Sequence, residues 1–244
     1  MVDELRLFRG YDYKINDNIV IRHPTLGEIC DYGEEKYYNM VYVICSTPSD
    51  HKVQLLDNFG IDYEQISEFE LFCMMCKLFS KEDTSILLGD FDFQLFDAAE
   101  NTQTNQLVLY DKKNNIVIDH AIYTLLTDRL RLIHGFEKNI DVAGNEHTKQ
   151  YMLEKERRKL KRANANKQKS ILAQLISSMV NCEQFKYDYN TVWTLPIYVF
   201  MDSVKRIQKI KNYNHLMQGV YAGTIDSKSL SQESFNWMGS LSES

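Results

Sequence analysis

Proline and glycine are scarce, 3 and 10 in 244 residues. That is too few turn-formers for a sandwich or barrel of many short strands, and it favours helices. The five cysteines are an odd number with no framework spacing, so they are expected as reduced thiols in a cytosol. No apolar run approaches the ~18 residues needed to span a bilayer, and no membrane partner is expected. The opening MVDELRLFRG lacks the basic-then-apolar order of a secretion signal. GxGxxG, GxxxxGK[ST] and GxSxG are all missing, so neither a phosphate loop nor a nucleophile elbow is expected, and no cofactor. His23, His51, His120, His134, His147 and His215 show no HxH or HExxH spacing. Cys73-Met74-Met75-Cys76 is a single CxxC without the second ligand pair of structural zinc; among Phe and Leu it reads as buried core thiols.

What is present points to a folded, mainly helical chain. Hydrophobic residues make up 44% and aromatics 12%, which argues against wholesale disorder and for a real core. A net charge of −6 excludes a general nucleic-acid coat but leaves room for a local basic patch. The 15 tyrosines can bury a ring while keeping a hydroxyl wet, which suits partner surfaces.

In chain order, Tyr11 to Arg22 alternates around Asn16-Asp17-Asn18 and predicts a hairpin. Thr25-Leu26-Gly27-Glu28 and Ser67-Glu68-Phe69-Glu70 are capping boxes that start helices. Helices are also expected over 34–45, around Val53 to Leu56 up to Gly60, and from Ser67 to about Ser80. Asp90 to Phe96 alternates polar and apolar and reads as a strand; 107–110 and 116–118 form a further hairpin. Asp119 caps a helix with Ile122, Leu125, Leu126, Leu130 and Ile133, stopped by Gly135. A charged, largely exposed helix follows from Glu146 to about residue 165, then a polar joint over 164–169 and an apolar helix capped by Ser170.

The clearest helix lies within 187–219. Thr194 is expected as its N-cap, Pro196 in its first turn and Gly219 at its stop, with Tyr187, Tyr189 and Trp193 as an aromatic anchor. Ile197, Phe200, Met201, Val204 and Ile207 form one face, read as half core and half interface, with pure core as the alternative. The fold class is thus α+β, mainly helical: a mixed N-terminal half with short hairpins over 1–140, and an all-helical half over 146–244 that ends in a Ser-rich tail. Phe235, Trp237 and Met238 in that tail either fold back or dock on a partner.

Two further features bear on chemistry. Asp90 and Asp92 could hold a divalent metal, as nuclease carboxylates do, although the solvated side of a strand is the favoured reading. Lys155, Arg157, Arg158, Lys159, Lys161, Arg162, Lys167 and Lys169 crowd into 155–169. On a helix they could track phosphates, but stacking aromatics are missing, so a solvated face or an acidic partner is favoured over nucleic acid.

Three stretches carry a family resemblance: HPTLGEICDYGEEKYY at 23–38, GIDYEQISEFELF at 60–72 and VWTLPIYVFMDSVKRIQKIKNYNHLMQGVYAGTID at 192–226. They resemble proteins from tail-morphogenesis regions of phages and prophages of Gram-positive bacteria, similar to tail assembly chaperones. The resemblance implies a non-catalytic protein of the host bacterial cytoplasm that binds the tape measure protein or other tail proteins; a minor structural tail or neck component is the alternative. On that reading Trp193, Ile197, Phe200, Val204, Ile207 and Trp237 contact the partner. The basic residues Arg157, Arg158, Lys159, Lys161 and Arg162 would meet acidic partners or other copies in self-association.

Overall fold

The computed structural model describes residues 4–102, 104–163 and 169–241. Within these the fold is mainly helical, with two small antiparallel sheets. A short helix α1 (Glu4–Phe8) leads into the hairpin β1 (Tyr13–Lys14) and β2 (Val20–Ile21), closed by Asn16, whose side chain accepts from the backbone of Asn18 and Ile19. Next come α2 (Leu26–Tyr32), α3 (Glu34–Cys45), α4 (Lys52–Phe59), α5 (Glu68–Met75) and α6 (Lys81–Leu88). The second sheet, β3 (Asp97–Glu100), β4 (Leu107–Asp111) and β5 (Ile116–Ile118), is a three-stranded meander in the order β3-β4-β5. Then follow α7 (His120–His134), α8 (Glu146–Ala163), α9 (Ile171–Val180) and α10 (Ile197–Tyr221).

Local chemistry explains most boundaries. Thr25 and Ser67 each accept from the backbone three residues on, while Glu28 and Glu70 reach back, so both expected capping boxes form. Gly60 and Gly135 adopt left-handed conformations where α4 and α7 stop. Asp119 and Ser170 cap α7 and α9 as expected. Helix α6 has the same device in Ser80 and Asp83; the shorter acid falls outside the usual Glu/Gln pattern, and α5 stops at Met75, short of the expected end near Ser80.

One expected strand is absent. Asp90 to Phe96 contains a 3-10 turn over Phe93–Leu95, and pairing begins only at Asp97. Asp92 accepts from the Gln94 N–H at 2.9 Å, which bends the chain. The bend sends Phe91, Phe93 and Phe96 together into the core, with Phe91 5.1 Å from each of the other two rings, while Leu95 turns outward. A straight strand would put Phe96 opposite Phe91 and Phe93.

The main core is a contiguous cluster that takes side chains from both halves of the chain, from Leu7 through Tyr37, Phe93 and Leu130 to Ile176 and Phe200, and a small second cluster of Leu55, Tyr63 and Leu71 lies apart from it. On α7 the buried residues include Tyr123, Leu126, Leu130 and Ile133, whereas Leu125 faces out. At its C-terminal end His134 is enclosed: its Nδ1 donates to the Leu130 carbonyl at 2.7 Å, and its Nε2 accepts the Tyr37 hydroxyl at 2.5 Å. Helix α8 buries little besides Leu153, as its charged sequence suggests. The polar joint and Lys167 fall on residues outside those described, apart from Lys169. No described helix is long and apolar enough to cross a membrane.

Candidate functional site

The most distinctive construction is the seam that seats α10 and the arm that leaves it. Asp188 accepts from the backbone of Asn190 and Thr191 and from the Thr191 hydroxyl, and the chain tightens into a 3-10 turn over Val192–Thr194. Leu195 and Pro196 then lie extended against the N-terminal half. The Leu26 N–H donates to the Leu195 carbonyl at 2.9 Å, and the Ile197 N–H donates to the Pro24 carbonyl at 2.9 Å. Two glycines allow this approach. Gly10 has φ +64°, and a Cβ there would sit 2.7 Å from Pro196 Cγ; a Cβ at Gly27 would meet the Trp193 carbonyl oxygen at 3.1 Å.

The seam changes the expected start of α10. Thr194 lies inside the 3-10 turn, with its hydroxyl donating to the Thr191 carbonyl, and Pro196 is itself the N-cap residue. Helix α10 also runs past Gly219 to Tyr221, because the chain reverses two residues later: the Thr224 and Ile225 N–H groups donate to the Gly219 carbonyl.

The expected partner face divides. Ile197 and Phe200 are 0% exposed and Ile207 is 9% exposed; all three belong to this chain's own core, with the Phe185 ring edge-on to Phe200 at 6.2 Å. They have no surface to offer a partner in this conformation, and burial of such side chains contributes about 1.5–3 kcal/mol each to holding α10 down. Val204 is half-buried, while Trp193 and Trp237 keep exposed surface. The Trp193 indole N–H donates to the Tyr189 carbonyl at 2.8 Å, which fixes the aromatic anchor at the seam.

Beyond Ile207 no described residue is buried. Residues 208–241 form an arm of helix and returning tail. The tail folds back along α10: Arg206 donates to the carbonyls of Trp237 and Gly239 at 3.0 and 2.9 Å, and Lys209 to that of Ser240 at 2.6 Å. Tyr221, Met238 and Trp237 are exposed on it. Nothing in the sequence marks these two cationic clamps, because an off-face Arg or Lys on a helix looks like any solvated charge.

The other candidate groups are placed as follows. Asp90 pairs with Lys81 at 2.7 Å and Asp92 caps the 3-10 turn. Among the described residues no group of three or more His, Cys, Asp or Glu side chains could hold a metal ion. Cys76 is buried and Cys73 half-buried; burial pushes the Cys73 thiol up to about 12. In the basic run, Arg157 makes two contacts with Asp57 on α4, at 3.0 and 2.5 Å, while Arg158 and Lys159 reach Glu154 and Glu156 on their own helix. Nearer the start of α8, Lys149 bridges Asp62 and Glu64, whose hydrogen bonds push its ammonium upward. Among the described residues Lys155, Lys161 and Arg162 form no ion pair.

Residues 164–242 match the family model of the YomV second domain. YomV is a Bacillus phage SPbeta-type protein, so the likeness is to a phage-related protein. The YomV-like segment takes in α9, the seam, α10 and the returning tail, roughly a third of the chain. No curated protein and no solved structure matches the chain.

Proposed function

We propose that this chain is a phage tail assembly chaperone that binds the tape measure protein during tail morphogenesis, without chemistry of its own. The observation that carries the reading is the arm: an extension without a buried residue after Ile207 that displays Tyr221, Trp237 and Met238. Exposed aromatic and methionine side chains at the end of a helix and on the turn of its returning tail are suited to covering the apolar stripes of a long helical client. The likeness of the arm-bearing segment to a phage-related domain supports the same setting. On this reading Trp193, Val204 and Trp237 are the contact residues, and Ile197, Phe200 and Ile207 hold the arm's root.

The test is co-expression with the tape measure protein of the same gene cluster, followed by size exclusion with light scattering. The expected result is a soluble complex, with the tape measure insoluble when made alone. Paired substitution of Trp237 and Met238 by Asp should release the client while this protein stays folded. Absence of a complex, with this protein found in purified virions, would overturn the proposal in favour of a minor tail or neck component.

A further inference from the structure

Beside α3, a cleft of about 690 Å³ is walled by Met40, Val43, Leu78 and Phe79. Leu78 is 71% exposed at the cleft. The rim holds Glu34, Glu35 and Asp83 against one ammonium, Lys36, which already lies 2.8 Å from Asp83. Glu34 also accepts from the Ile171 and Leu172 N–H groups, so Glu35 is the least committed carboxylate there. The cleft is therefore apolar within and acidic at its edge.

The arm carries the opposite combination. Trp237 and Met238 are exposed where the tail is clamped by Arg206 and Lys209. The arm, residues 208–241, contains three cations (Lys209, Lys211, Lys228) and two carboxylates (Asp226, Glu233), and Arg206 at its root and Lys209 are the cations that touch the tail beside Trp237 and Met238. An apolar patch with a basic border matches an apolar cleft with an acidic border, and such complementarity fixes both partner and register.

We infer that, without a client, the Trp237–Met238 patch of one copy seats in the Leu78 cleft of a second copy, so that the chain self-associates head to tail; on the proposed function, client and second copy compete for this one patch. The two surfaces differ, which makes the interface heterologous; successive copies close into a ring or continue as an open chain. Salt weakens the contact, because the charged borders are exposed to solvent.

The test is sedimentation velocity of the full-length protein alone, so its outcome is independent of any tape measure protein. Wild type is expected to rise with concentration from the 28.7 kDa chain mass to at least twice that value, and to fall back in high salt. Leu78→Asp and Trp237→Asp should each lower or abolish assembly. Mixed in equal amounts, they leave one intact cleft and one intact patch, and should give a complex of two chains and no larger. Both side chains are exposed, and circular dichroism checks the fold; Met238→Asp replaces Trp237→Asp if the latter unfolds. A wild type that stays monomeric, assembly that persists unchanged in either single variant, or a mixture that stays monomeric would overturn the inference.

Discussion

Acid should loosen this fold through two buried histidines. His134 is 3% exposed, and its Nδ1 proton is committed to the Leu130 carbonyl, so its Nε2 must stay bare to accept the Tyr37 hydroxyl. Burial pushes this imidazole down to about 4, against a smaller opposite effect of the Leu130 carbonyl. His23 is 7% exposed and is also pushed down to about 4, first by burial and then by the Arg129 charge, with Asp12 opposing. In the unfolded chain both titrate near 6.5, so between 6.5 and 4 the unfolded state binds more protons and stability rises with pH. The contribution is fully present above about 6.5 and is lost as pH falls towards about 4. At up to ~1.4 kcal/mol per pH unit for each group, with the unfolded imidazoles only half protonated at 6.5, the two histidines remove about 3 kcal/mol between pH 6.5 and 5. That is a large share of a typical 5–15 kcal/mol stability. Over the same interval Asp83, drawn down to about 2 by Lys36 and the Ser80 cap, stays ionised. Urea unfolding followed by circular dichroism at pH 7.5, 6.5, 5.75 and 5, at constant ionic strength, measures the slope. His134→Gln should lower stability at pH 7.5 but roughly halve the loss on acidification. A urea midpoint that does not move between pH 7.5 and 5, or an equal slope in wild type and H134Q, would refute the assignment.

Other outcomes follow from the seam, the core and the thiols. Gly10→Ala places a methyl 2.7 Å from Pro196 Cγ at φ +64° and should cost about 1–3 kcal/mol, read as a lower melting temperature; a neutral result would remove the seam's tight fit. Phe200→Ala should cost about 3–5 kcal/mol through a cavity beneath Phe185, seen in the urea midpoint. It should weaken client binding only as far as it unfolds α10; a stable F200A that fails to bind would return Phe200 to the interface. In alkylation at pH 8 followed by peptide mass spectrometry, Cys182 should react well before Cys73. Burial opposes the Cys182 thiolate, but hydrogen bonds from the Gln184 backbone and Lys211 bring its pKa down on balance, whereas burial pushes Cys73 up to about 12. Equal rates would contradict these environments.

What neighbouring residues settle among themselves was legible in the amino-acid order. The boxes at Thr25–Glu28 and Ser67–Glu70, the Asp119 and Ser170 caps, the stops at Gly60 and Gly135 and the 107–118 hairpin all rest on contacts a few residues apart. Helix α3 appears with the expected bounds for the same reason. Tertiary structure decided the rest, because a periodic pattern says which residues share a face but not what covers it. Alternation over Asp90 to Phe96 looked like a strand until the Asp92 bend gathered three phenylalanines into one core. Thr194 lost the cap of α10 because Leu195 and Pro196 are held by the backbone around Thr25, more than 160 residues away in sequence. The face of Ile197, Phe200 and Ile207 reads identically as core or interface; packing against the N-terminal half assigned it to the core. The same packing ends at Ile207, beyond which no described residue is buried.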